Sequence, residues 1–254
     1  MKIIVPIQLV PDLVEELVID KSGTKLDPDE ISWILNEYDN HAIEQAILIK
    51  EKSGAEVTVI APDLEGADDA LFTAAAKGAD KLVKIAEDFI EEPFNVHALA
   101  RMFAKIIKEE DASLVLTGVS ASNSLDGCLG AILAEYLGMP YVGYVSGVTI
   151  EGNKASVHKE FPGGLISQLE VTLPAVLGIQ ASETPPRYVP FSKTRQAMKE
   201  RKIEEEEGEF DLAGGLTPKR MFLPVVTEKA QMLEGDEDEI AEKLVAILKE
   251  RGII

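Results

Sequence analysis

The sequence predicts an α/β fold: a doubly wound, mostly parallel sheet with helices on both faces, a β-hairpin-rich second half and an extended C-terminal arm. Three observations predict it. Between residues 56 and 138, short β-branched runs alternate with segments of helical period, the pattern of a parallel sheet covered on both faces. From about residue 141 the alternation gives way to strand-like runs joined by tight turns, as at Gly152-Asn153. An apolar run ends at Gln180, and beyond it Pro185-Pro186 opens a long polar, proline-interrupted segment.

The elements follow in order. "KIIVPIQL" (2–9) reads as a first strand, with Pro6 marking an edge, a bulge or a close approach to the backbone, because proline cannot donate to a ladder. Residues 10–38 read as irregular. "DNHAIEQAILIKEKSG" places Ala42, Ile43, Ala46 and Ile47 at helical spacing, with Asp39 as N-cap and Gly54 as the stop. Strands at 56–62, 81–85 and 113–119 then alternate with helices at 66–80, 95–110 and 129–138. Two strands flank Gly152-Asn153, and "GLISQLEVTL" and "AVLGIQ" add two more. Near the end, Ile240, Leu244, Val245 and Leu248 share one face of an amphipathic helix that needs a surface to pack on. The division expected is 1–183 for the nucleotide-binding-type domain and 184–254 for the arm.

Composition narrows the function. Hydrophobic residues make up 46% and aromatics 6%, so the core is aliphatic. A formal charge of −20 argues against nucleic acid, which needs a basic footprint. The single cysteine, Cys128, excludes an intrachain disulfide and a Cys-cluster metal site. No apolar run approaches the roughly 18 residues of a membrane span, so the chain is not expected to be an integral membrane protein. The N-terminal run reads as a buried strand rather than a signal, and a cytoplasmic location is expected.

No catalytic constellation is visible. His41, His97 and His158 lie in different elements without a cysteine or carboxylate at ligand spacing, and no glycine-rich phosphate loop of a common type is present. Cys128 reads as a packed thiol. What remains is "TGVSASNSLDGCLG" (117–130), between a buried strand and a helix, where a doubly wound sheet binds ligands. Small hydroxyls and backbone N–H groups at a helix start favour an anion there. The same residues also suit an ordinary polar connection with Ser124 or Asp126 as N-cap.

The chain resembles the β subunit of electron-transfer flavoproteins over nearly its whole length. The matching pieces run in order: "VPD" after the first strand, "LNEYDNHAIEQAI" at 35–47, "AAKGADK" at 75–81, the 117–130 loop, "GGL" at 163–165, "LPAVLGIQ" and "PPRY". The resemblance implies an electron-carrier subunit, not an enzyme, paired with an α subunit. The FAD held mainly by α takes electrons from acyl-CoA or other flavin dehydrogenases, with a quinone oxidoreductase as one acceptor open to it. It also implies a structural AMP or, in bifurcating members, a second FAD. By position, Pro6, Asn36, Ala61, Pro62, Ala121, Ser122, Asn123, Asp126, Gly127, Cys128, Leu129 and Gly130 would line the nucleotide site. Leu13 and Tyr38 would approach the α-subunit FAD. Phe191 would anchor the partner dehydrogenase, with Arg187, Lys193 and Arg195 around it.

Two departures stand out. Leu129 replaces a threonine common in the family, and Gly127 stands where asparagine or alanine is usual. "NSLD" also replaces the "Asp-Gly-Asp-Thr" frequent in bifurcating members, which favours AMP over a second FAD. The alternatives are a stand-alone adenine-nucleotide module of the universal-stress type and a structural partner that has lost its nucleotide. A sensor domain would end near Gln180 and has no use for the remainder.

Overall fold

The computed structural model describes residues 1–86, 95–124, 127–207, 213–225, 230 and 232–254. Along the chain, β1 (Lys2–Pro6), β2 (Leu9–Pro11) and β3 (Trp33–Leu35) precede α1 (Glu37–Ser53). Next come β4 (Glu56–Pro62), α2 (Ala67–Lys77), β5 (Lys81–Ala86), α3 (Val96–Glu109), β6 (Leu114–Gly118) and α4 (Leu129–Leu137). The strands β7 (Tyr141–Glu151), β8 (Lys154–Phe161), β9 (Leu165–Thr172) and β10 (Ala175–Ile179) follow. Last are α5 (Phe191–Glu200), β11 (Ile203–Glu207) and α6 (Glu237–Glu250).

One sheet takes nine strands in the order β11-β5-β4-β1-β6-β10-β7-β8-β9. Pairing is parallel from β11 through β7 and antiparallel across β7, β8 and β9. This is the α/β class the sequence predicts. The sequence of burial explains the split. In β4 and β10 almost every residue is buried, as helices on both faces require. In β8, Ala155 and Val157 point inward while Lys154 and His158 are exposed, as a sheet with one wet face requires. Phe103 is the one aromatic among the largest fully buried side chains of the described residues; the others are isoleucine and leucine.

Local signals set several boundaries. Gly54 closes α1 in the left-handed region at φ 70°, donating its N–H to Lys50 O. Pro6 is on neither an edge nor a bulge. It is the last residue of central β1, whose register with β6 covers only Ile3 and Ile4, so its missing donor removes no bond of that ladder.

Two elements depart from expectation. Within the stretch read as irregular, β2 and β3 form an antiparallel ribbon, Leu9 opposite Leu35 and Pro11 opposite Trp33. The glutamate run forms edge strand β11, beside β5. Lys81 Nζ pairs with Glu204 at 3.0 Å, and Lys84 Nζ lies 3.7 Å from Glu205 and 3.1 Å from Asp68. An acidic edge also resists pairing with another chain.

The compact units divide between Met221 and Phe222 rather than at 183/184. Residues 184–221 belong with the sheet because α5 packs on α2 and β11 joins β5. The second unit, Phe222–Ile254, carries α6, capped by the Asp236 side chain accepting from Glu239 N. No residue of α6 is buried.

The edge strand gives a test. Replacing Lys84 by Met removes the β5 partner of Glu205 among carboxylates that are mostly exposed, a change of about 1 kcal/mol. The amides of residues 204–207 should then exchange about fivefold faster, and unchanged exchange would show that backbone pairing alone holds β11.

Candidate functional site

The chain leaves β1 toward β4 and β5 on one side, and β6 lies on the other, so the carboxyl ends of β1 and β6 diverge. In open α/β sheets this divergence forms the ligand crevice. Helix α1 begins at it. Asp39, in the first turn of α1, is fully buried. Its Oδ2 accepts from Gln8 N at 2.8 Å and Asn36 Nδ2 at 3.1 Å, and its Oδ1 accepts from Gly118 N at 2.7 Å. The expectation that Asp39 caps α1 is therefore corrected. The N-cap is Asn36, which makes no side-chain cap bond, and the Asp39 carboxyl turns inward to donors on β1 and β6.

Asn36 extends the tie. Its Nδ2 also donates to Ser120 O at 2.8 Å, at the start of the loop after β6, while its backbone N donates to Gln8 O at 3.0 Å. Gly118 makes this approach feasible. A Cβ there would lie 2.5 Å from Asp39 Oδ1 and 2.8 Å from both Asp39 N and Tyr38 Cβ, so only glycine fits.

Across the crevice, α4 starts after Cys128 with no side-chain cap bond. Ala131 N donates to Cys128 O at 3.1 Å, whereas the N–H groups of Leu129 and Gly130 precede the first carbonyl the helix offers, so this start suits an anion. Thr117 Oγ1, against this first turn, is buried without a hydrogen-bond partner. Gly130 seats the helix: a Cβ would meet Thr117 Oγ1 at 2.6 Å and Tyr141 Cε2 at 2.8 Å. The ring of Tyr141 also fills space left by Gly143 and Gly178, and burial, with Tyr144 and Cys128 nearby, pushes its hydroxyl up to about 12.

The sequence-derived residues take definite places. Pro6, Ala61 and Pro62 are buried at the carboxyl ends of neighbouring β1 and β4, and Asn36 bonds the β6 loop. Ala121 is buried, and Ser122 and Asn123 are exposed. Gly127 takes φ 59° and donates to Ser124 Oγ. Cys128 is the N-cap of α4, and Leu129 and Gly130 open it. Leu129 is packed in the core, so position 129 offers no hydroxyl. Asp126 lies outside the described residues. Leu13 and Tyr38 are exposed, at 64% and 37%.

Phe191, the first residue of α5, is 70% exposed, with Arg195 5.5 Å from its ring centre and Lys193 also exposed. Arg187 is instead bound to the chain itself, through Glu44 and Glu51 of α1. Sequence reasoning missed Thr117 and Glu44, and it misread Asp39. The available signal was "NEYD", an Asn and an Asp three apart at a helix start, which fits a cap and an inward tie equally well. Among the described residues no group of three or more His, Cys, Asp or Glu could hold a metal, and no helix is long and apolar enough to cross a membrane.

The tie predicts a pH dependence. Burial pushes the Asp39 carboxyl from 3.8 up to about 7, against the Gln8, Asn36 and Gly118 donors that lower it. The folded protein thus holds this proton more tightly than the unfolded chain. The associated stability is full below about pH 4 and is lost as pH rises to about 7. Asp39→Asn should lose about 1–2 kcal/mol in acid and flatten this part of a urea-midpoint profile. Parallel profiles for the two proteins would place the titration elsewhere.

Comparison with known proteins adds family information. The family described as "Electron transfer flavoprotein domain" matches residues 24–210. The chain is 30% identical to "Electron transfer flavoprotein subunit beta" of Methylophilus methylotrophus, covering 98% of each chain. It is 31% identical to the protein of that name from Bacillus subtilis, over 92% of this chain and 93% of the other. For the human protein of that name the identity is 30%, over 100% of this chain and 99% of the other.

Proposed function

The chain belongs to the electron transfer flavoprotein β-subunit family, and on that premise we propose that it pairs with an α subunit that holds the FAD. In this reading the chain seats an adenine nucleotide between Asn36 and the start of α4, and presents residues 185–200 to flavin dehydrogenases. The flavin supplies the one- and two-electron chemistry. This chain's residues bind, space and orient.

The observation that carries the reading is the uncapped start of α4 at the β1/β6 divergence, in a chain matched by its relatives end to end. Backbone N–H groups of Leu129 and Gly130 would take a phosphate, with Ser122 and Asn123 at the open rim. AMP is favoured over a second FAD, because "NSLD" replaces the acidic pattern frequent in bifurcating members. The second unit supports a partner: Leu244 and Val245 of α6 are 48% and 42% exposed, and α would cover them. A stand-alone sensor would leave that face and the exposed Phe191 without purpose.

Co-expression with the α-chain gene tests the assembly. A yellow heterodimer that releases both FAD and AMP on denaturation is expected. A stable chain that purifies alone with stoichiometric FAD would contradict it. Gly127→Glu places bulk and charge beside the proposed phosphate, so the heterodimer should keep its FAD and lose AMP; retained AMP would move the site elsewhere.

Docking has its own test. A buried aromatic anchor is worth about 2 kcal/mol, or roughly thirtyfold. Phe191→Ala should raise the KM of an acyl-CoA dehydrogenase for the heterodimer by about that factor, with flavin content unchanged. Loss of flavin at unchanged KM would make Phe191 a contact with α.

A further inference from the structure

Helix α1 does more than open the nucleotide crevice. Its outer face holds the start of the 182–187 segment at four side chains. His41 Nδ1 lies 3.2 Å from Ser182 N, and Gln45 Oε1 accepts from Glu183 N at 3.1 Å. Glu44 Oε2 accepts from Arg187 N at 3.0 Å, and Glu44 Oε1 accepts from Arg187 Nε at 2.8 Å. Glu51 Oε1 accepts from Arg187 Nη1 at 2.7 Å. One guanidinium thus spans two carboxylates, two turns apart on the same helix.

The contrast in exposure matters. The Glu44 side chain is 2% exposed, and Arg187 is one-third exposed. Glu44 can therefore reach a dehydrogenase only through Arg187. Immediately beyond it, Tyr188 is 86% exposed and Phe191 70%. Pro185, Pro186 and Pro190 fix φ on both sides of Arg187-Tyr188. Farther on, Thr194 and Ala197 bury α5 against α2. The exposed aromatics thus sit on a short proline-stiffened span fastened at both ends.

Resting on the docking role of Phe191 above, we propose that Glu44 and Arg187 are positioning residues for electron-donor docking: the Arg187 fork, seated on buried Glu44 and on Glu51, sets the direction in which Tyr188 and Phe191 leave the body. The recognised partner chemistry is an apolar pocket on a flavin dehydrogenase. Pre-ordering the span lowers the entropy lost when that pocket closes on it. A lysine at 187 would keep the charge but would not serve both carboxylates, because only the planar guanidinium presents donors as a fork.

The test uses the heterodimer and a purified acyl-CoA dehydrogenase of the same organism. Glu44→Gln and Arg187→Lys should each raise KM about tenfold with kcat, flavin content and thermal midpoint near wild type. In a Phe191→Ala background the same changes should add less than about twofold, because their effect passes through that ring. Trypsin gives a readout without the dehydrogenase: Glu44→Gln should speed cleavage after Lys193. Should Glu44→Gln fail to assemble, Arg187→Lys, on the surface, carries the test.

Several outcomes overturn the proposal. Unchanged KM in Arg187→Lys, with Arg187→Met altering only the salt dependence of the rate, would make Arg187 a rim charge. Additive effects with Phe191→Ala would mean direct contact with the dehydrogenase. If Phe191→Ala alone leaves KM unchanged, the docking reading falls first and the proposal with it. If Phe191→Ala raises KM while Arg187→Lys and Glu44→Gln do not, only the positioning role is lost.

Discussion

The buried carboxyl of Asp39 is the point at which the rest of this architecture is joined. It accepts from Gln8 N after β1, from Gly118 N at the end of β6 and from Asn36 Nδ2 on its own helix start. No cation approaches it within hydrogen-bonding distance among the described residues, so three N–H donors alone compensate its burial. Leaving those donors unmet would cost about 1–3 kcal/mol each. The tie also dictates chemistry around it. Gly118 must lack a side chain because the carboxyl and the first turn of α1 occupy that space, and Asn36 is thereby placed to hold Ser120 O and orient the loop that leads to α4.

Once its N-terminus is fixed, α1 becomes a ruler along one side of the molecule. Its first turn defines the crevice, and Glu44, Gln45 and Glu51 one to four turns on receive residues 183–187. Lys77 of α2, buried beside this face, donates to Asn40 Oδ1, and burial holds its ammonium below the usual lysine range despite nearby Glu44. The crevice and the exposed aromatic span are thus referred to one rigid element.

The fold was legible wherever periodicity expresses burial. "EVTVIAP" and "AVLGIQ" read as fully buried strands, and the turn at Gly152-Asn153 announced a hairpin. Elements whose partners are distant were not legible. The glutamates at 204–207 look solvated in isolation, and they form a strand by pairing with β5, where Lys81 and Lys84, more than a hundred residues earlier, stand alongside. The β2–β3 ribbon joins residues separated by a polar stretch with no alternation of its own. For the candidate site, the loop after β6 stands out in the sequence by its small hydroxyls and glycines. Asp39 was misread because its true partners, Gln8 and Gly118, lie 31 and 79 residues away, a distance at which spacing carries no information. Arg187 looked like a free rim charge for the same reason, Glu44 being 143 residues distant.

Native-state hydrogen exchange at the amides of Gln8 and Gly118 tests the central claim directly, because those two N–H groups end on the Asp39 carboxyl. If this tie joins α1 to the sheet, both amides exchange only through global unfolding, at the rate of the β4 core amides and with the full denaturant dependence. Exchange of either amide through a low-energy local opening, with little dependence on denaturant, would show that α1 is held by apolar packing alone and that Asp39 is not the joint.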